Sequence, residues 1–219
     1  IAWFAGEKWR MDVFNTHGKI YEASASQMFK VPLEEIHKGH PLRQKGKVAE
    51  LALGYQGSVG ALKSMGALKM GIEEEELEPL VNQWRLANPK IVKFWYDVEN
   101  AAMEAIEKKS LVRLGPFLRF RYKNEFLFIE LPSGRRIAYA WPRLEDDPRF
   151  NKKKIIFEGR NSTTKQWGYI DTYGGKLVEN IVQATARDCL AHSMLKLDRA
   201  GYDLVMHVHD EVVIEIDRK

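Results

Sequence analysis

A chain of 219 residues, 45% hydrophobic and 11% aromatic, can bury a substantial core in one large domain or two small ones. Its formal charge of +4 favours a polyanionic partner only weakly, so where the charge sits matters more than its total. The single cysteine, Cys189, excludes an internal disulfide framework, and no uncharged apolar run reaches the roughly 18 residues that a membrane span needs; a cytoplasmic protein with no membrane partner is expected.

Residues 1–53 read as successive helices punctuated by Gly6, Gly18 and Gly39, with Pro32 and Pro41 near the starts of new segments. The opening string Ile1-Ala2-Trp3-Phe4-Ala5 has no initiating methionine, so both ends are expected to be cuts in a longer protein. Ala23 and Ala25 suggest close packing in 21–29. The helix expected over 41–55 repeats Arg43, Lys47, Leu51 and Tyr55 every four residues, along one side. Two cations near its start and an aromatic ring at its end suit a phosphate-bearing ligand with a flat base, and a solvated basic face is the plain alternative. Gly54, Gly57 and Gly60 follow without the Gly-Lys-Ser/Thr ending of a Walker loop, so they read as a helix end and a bend.

Two helical patterns cover 72–109, broken at Asn88-Pro89. Glu73 to Glu76 crowd the first turn of the first, where acids favour the dipole, and Trp84, Phe94, Trp95 and Tyr96 read as core. Between 111 and 141 the period changes to alternation, as in Leu118, Phe120 and Tyr122 against Arg119 and Arg121, which predicts antiparallel strands. Arg135-Arg136 follows a turn and reads as a phosphate contact or an exposed tip. Residues 143–166, with Lys152-Lys153-Lys154, read as a loop-rich excursion able to touch nucleic acid.

A last helix is expected from Gly174-Gly175 to about Arg199, burying Leu177, Val178, Ile181, Val182, Leu190 and Leu195. Gln183 and Arg187, four apart, project together. Beyond Gly201, Val205 to Glu215 reads as two strands joined by a tight turn with His209 and Asp210 at its tip. Asp210 is then presented to solvent with Glu211 beside it, a geometry suited to a divalent cation over a polar substrate. His207 and His209 alternate as a zinc pair would, but no second ligand cluster is evident.

Arg43-x-x-x-Lys47, with Tyr55 eight positions after the lysine, resembles motif B, the finger helix of family A (DNA polymerase I type) DNA polymerases. Val208-His209-Asp210-Glu211-Val212 is similar to motif C of that family, and Gln183-Ala184-Thr185-Ala186-Arg187-Asp188 to the helix preceding it. Ile1 to Glu7 looks like the helix that follows motif A. The string Gly46 to Gly57 looks most like phage or prophage members.

The resemblance implies an α+β fold. Residues 1–40 would follow motif A, 41–110 would form mostly helical fingers, and 111–219 would form part of an antiparallel palm sheet that includes the 204–216 hairpin. It implies template-directed DNA synthesis from dNTPs on primer-template DNA, with two Mg2+ ions. Asp210 would ligate metal and Glu211 would be an accessory carboxylate. Arg43 and Lys47 would hold the triphosphate, with Leu51 on the same substrate-binding face. Tyr55 would pack by the templating base, His209 would touch the primer end, and Gln183 with Arg187 would contact DNA. Leu51 stands where bacterial members carry an aromatic residue. The motif A aspartate is expected upstream of Ile1, which would leave the isolated chain inactive and free to self-associate through an unpaired sheet edge. A non-catalytic nucleic-acid-binding module is the alternative.

Overall fold

The computed structural model describes residues 1–148 and 151–216. It has the expected α+β composition, with eight α-helices and eight strands among those residues. The chain divides into two compact units, one of Ile1–Ala101 with Thr172–Val178 and one of Ala102–Asp171 with Glu179 onward.

The first unit is helical: α1 (Ala2–Ala5), α2 (Lys8–Thr16), α3 (Ile20–Phe29), α4 (Pro41–Leu53), α5 (Val59–Ser64), α6 (Glu74–Ala87) and the start of α7 (Pro89–Glu107). Proline at the first position of α4 gives up a backbone N–H that no helix could satisfy, and His40 Nδ1 accepts from the Leu42 N–H at 3.1 Å. Gly46, Val48, Ala49, Ala52 and Leu53 are buried, and at about 100° per residue they fill one side of α4. A β-carbon on Gly46 would overlap the Tyr21 carbonyl oxygen of α3 and lie 3.1 Å from the Ala25 β-carbon. The small residues of α3 and α4 thus face one another, as Ala23 and Ala25 suggested.

A polar network runs through this core. Arg10 of α2 donates to both Glu50 carboxylate oxygens at 2.6 and 2.5 Å and to Asn88 Oδ1 at 2.5 Å, and the Trp84 indole donates to Glu50 Oε1 at 3.0 Å. Trp84 and Trp95 stack at 5.9 Å. Glu7 accepts from the Lys90 N–H at 3.0 Å, supplying a carboxylate to the first turn of α7. The acidic run at 73–76 forms a capping box between Glu73 and Glu76. Tyr96, expected in the core, is 48% exposed, because Phe94 and Trp95 occupy the inward positions of that turn.

In the second unit, β1 (Leu111–Leu114), β2 (Leu118–Lys123), β3 (Phe126–Glu130), β4 (Arg136–Asp147), β5 (Lys152–Arg160) and β6 (Trp167–Thr172) make one sheet in sequence order. The expected alternation sets the register: Phe120 opposes Ile129, both fully buried, while Arg119 opposes Glu130 outside. Residues 143–166 are not loop-rich. Most of them belong to β4 and β5, where Glu145, Asp146 and Asp147 oppose Lys154, Lys153 and Lys152. Cross-strand charge pairing lets a polar stretch form a strand, and Ile155 and Ile156 anchor it in the core. Arg149 and Phe150 lie outside the described residues.

Helix α8 (Gly174–Arg199) begins in the first unit and ends in the second. A β-carbon on Gly174 would overlap the Trp95 carbonyl, and one on Gly175 the Tyr55 carbonyl, which accounts for the paired glycines. Leu177, Val178 and Ile181 are buried as expected, whereas Val182 and Leu190 are half-buried and Leu195 is 55% exposed. Strands β7 (Asp203–Val208) and β8 (Glu211–Glu215) form a two-stranded sheet of their own among the described residues, not a part of the larger sheet.

Alanine at an ordinary mid-helix glycine stabilises by about 0.5–1 kcal/mol. At Gly46 the sign reverses: Gly46→Ala is expected to cost about 1–3 kcal/mol, read as a lower thermal midpoint by circular dichroism. A raised midpoint would show that α3 gives way freely.

Candidate functional site

Arg43, Lys47 and Leu51 share the side of α4 opposite its buried stripe, as their spacing required. Tyr55 does not extend that row on the helix, because α4 ends at Leu53 and Tyr55 lies in the turn beyond Gly54. Leu51 is 49% exposed and Lys47 half-buried. Lys47 makes no hydrogen bond or ion pair among the described residues, so its ammonium is available to an anion.

Arg43 is already engaged. Its Nε donates to Glu22 Oε1 at 2.6 Å, and its guanidinium lies 5.5 Å from the Tyr21 ring centroid. Lys45, on the flank, pairs with Glu76. The basic face is therefore narrower than the sequence suggested. Partial burial pushes the Glu22 carboxyl up, but the Arg43 hydrogen bond and charge, with Lys19, outweigh it and hold Glu22 below the usual glutamate range. Glu22 was missed by sequence reasoning. It lies 21 residues from Arg43 on another helix, and only the small-residue packing of α3 hinted at the neighbour.

In the second unit the hairpin has the expected two-residue tip. Val208 pairs with Glu211, leaving His209 and Asp210 as the turn, with His209 at φ 50°. Asp210 and Glu211 are both exposed. A register shift between Leu204 and Met206 bulges β7 at Val205. Gln183 and Arg187 are exposed on α8. Gln183 donates to Glu179 Oε1 at 3.1 Å, and Arg187 Nη2 donates to His207 Nε2 at 3.1 Å. The guanidinium beside His207 makes that ring a poor zinc ligand. Arg135 donates to Asp188 Oδ1 at 2.5 Å and to the Ala184 carbonyl at 2.6 Å, so it ties its turn to α8 and does not stand free for phosphate.

The structure thus gathers Arg43, Lys47 and Leu51 on one helix face and His209, Asp210 and Glu211 at one hairpin tip, each group in its own unit. Two adjacent carboxylates are hard oxygen donors that fit a magnesium ion, which is commonly held by one or two carboxylates together with substrate phosphates. No group of three or more His, Cys, Asp or Glu poised for a metal occurs among the described residues. No helix among them is long and apolar enough to cross a membrane.

No protein-family model matches the chain. Over 218 residues, essentially the full length of this chain, it is 65% identical to a protein of Bacillus phage SP02 named DNA polymerase. The match takes in 34% of that protein, so the chain spans about a third of the length of this curated relative. The likeness to phage DNA polymerases read from the motifs is thereby borne out, and it extends through 143–166.

Because Glu22 is depressed in the folded chain, its pairing with Arg43 is fully present above the unfolded glutamate value of about 4.3 and is lost as pH falls through the lower folded value. Carboxyl 13C NMR should give a Glu22 midpoint below that reference. A midpoint at or above it would mean that the pair does not persist in solution.

Proposed function

We propose that this chain carries the triphosphate-binding helix and the primer-end hairpin of a family A DNA polymerase acting on primer-template DNA and dNTPs. The observation that carries the reading is the outward face of α4, with Lys47 unpartnered among the described residues and Arg43 one turn before it, in a chain so similar to a phage DNA polymerase. Nucleotidyl transfer needs cations on the triphosphate and needs no covalent enzyme intermediate. Lys47 and Arg43 bind phosphate oxygens and draw off charge as pyrophosphate leaves. Leu51 lines the substrate side of the same helix, and Tyr55, past its end, packs by the templating base. His209 contacts the primer end, while Gln183 and Arg187 on α8 contact DNA.

Asp210, with Glu211 accessory to it, would hold magnesium. Magnesium held there would supply the Lewis-acid chemistry that makes the primer hydroxyl a better nucleophile and neutralises charge on the leaving oxygen. Asp210 and Glu211 do not by themselves make a two-ion site, so the 219 residues alone are inactive in this reading. The edges of the β7–β8 ribbon support self-association, which would appear in size-exclusion chromatography as an elution volume that shifts with concentration.

The test exchanges these 219 residues for the matching third of the SP02 polymerase and measures primer extension with template, four dNTPs and magnesium. The chimera should extend the primer, while the 219-residue chain alone should not. Lys47→Ala should slow extension by about 10²–10³-fold, and Asp210→Asn should abolish it with DNA binding retained. A folded but silent chimera that still binds DNA would favour a non-catalytic binding module instead.

A further inference from the structure

The two cations on the outward face of α4 are held differently: Lys47 has no partner among the described residues and Arg43 is fixed. Glu22 takes only the Nε side of the guanidinium, at 2.6 Å, and neither Nη makes a hydrogen bond among the described residues. The arginine therefore keeps the two terminal nitrogens that form a fork for phosphate oxygens. Tyr21, the preceding residue, places its ring 5.5 Å from the same guanidinium, and Arg43 and Glu22 keep 25% and 13% of their side chains accessible. Glu22 and Tyr21 sit where they do because α3 is pressed onto Gly46, whose absent β-carbon makes room for the Tyr21 carbonyl.

We infer that Glu22 is a positioning residue for triphosphate binding: its carboxylate fixes Arg43 by Nε and turns the free Nη pair outward as a preformed phosphate fork. This rests on the reading of α4 as the triphosphate helix and adds a residue of α3 to it. A free arginine loses rotamer freedom on gripping a phosphate, at about 0.5–1.5 kcal/mol for a side chain of this kind. Glu22 and Tyr21 bear that loss when the chain folds, before any ligand arrives. The carboxylate also repels the triphosphate, so two opposed effects act at this position. Orientation dominates in this arrangement, because the carboxylate lies on the Nε side and its charge is matched by the guanidinium it holds.

Isothermal titration of the 219-residue chain with inorganic tripolyphosphate separates the two effects. Glu22→Ala should raise Kd by about 2- to 12-fold, the ordering cost converted at 1.4 kcal/mol per factor of ten. Glu22→Gln keeps an acceptor for Nε, so it should bind as the wild type does or slightly more tightly. In an Arg43→Lys background, which has no Nε to hold, Glu22→Ala should cost nothing further. Thermal midpoints recorded alongside identify a purely structural role, which would lower the midpoint and leave Kd unchanged. The inference is overturned if Glu22→Ala binds as tightly as the wild type, if Glu22→Gln weakens binding as much as alanine does, or if the Arg43→Lys background shows the same loss. Primer extension by the unsubstituted chimera does not depend on these variants, so an active chimera with an indifferent Glu22 would remove this inference and leave the polymerase reading intact.

Discussion

The contact between α3 and α4 at Gly46 is the constraint on which the candidate ligand face depends. Close helix packing needs a residue with no side chain on at least one partner, and here the Tyr21 backbone carbonyl occupies the place a β-carbon would take. Once the helices are that close, the residues next in line have no choice of neighbour. Ala25 fills the gap beneath, Tyr21 flanks Arg43, and Glu22 reaches its Nε. A glycine in the middle of α4, which alone would weaken the helix, is therefore also what builds the geometry of its outward face.

The roll of α4 about its axis is set separately, by the Arg10–Glu50 pair. Both side chains are almost fully enclosed, at 5% and 11% accessible, so their desolvation offsets much of their attraction. The pair is satisfied because Trp84 and Asn88 supply the remaining partners, and such a set is met in only one orientation of the helix. Glu50 lies at the margin between the buried stripe of α4 and its outward face. With it fixed, Arg43, Lys47 and Leu51 have to point away from the core. A polar network that adds little net stability thus determines which way the cations face.

The legible parts of the sequence were those governed by local period. The four-residue recurrence in α4, the alternation in β2 and the two-residue hairpin tip all arise from backbone geometry, and all three are found where expected. What escaped was pairing across distance. The Glu22–Arg43 pair carries no sequence mark, and it halves the free charge that the spacing of Arg43 and Lys47 suggested. Residues 143–166 were misread for a related reason: three lysines in a row look solvated until three acids of the neighbouring strand are set opposite them. Tyr55 kept the spacing but lost the helix, because α4 ends at Leu53 and the backbone turns left-handed at Gln56, at φ 65°, with the Tyr55 carbonyl against Gly175.

The hairpin tip shows the same interplay from the opposite direction, because there a local cost has been accepted. His209 holds φ 50°, a left-handed conformation that costs a residue with a β-carbon about 1–2 kcal/mol and glycine almost nothing. Little packing compensates for it, since Val205, Met206, Val208 and Val213 are all more than 40% exposed. The Arg187–His207 contact ties β7 to α8 below the tip but does not reach His209. The same left-handed region is held by Asn124 and Glu125 at the β2–β3 turn, at φ 51° and 60°, so the conformation belongs to tight hairpin closure in this chain, and what distinguishes the 209–210 tip is an exposed imidazole beside two exposed carboxylates.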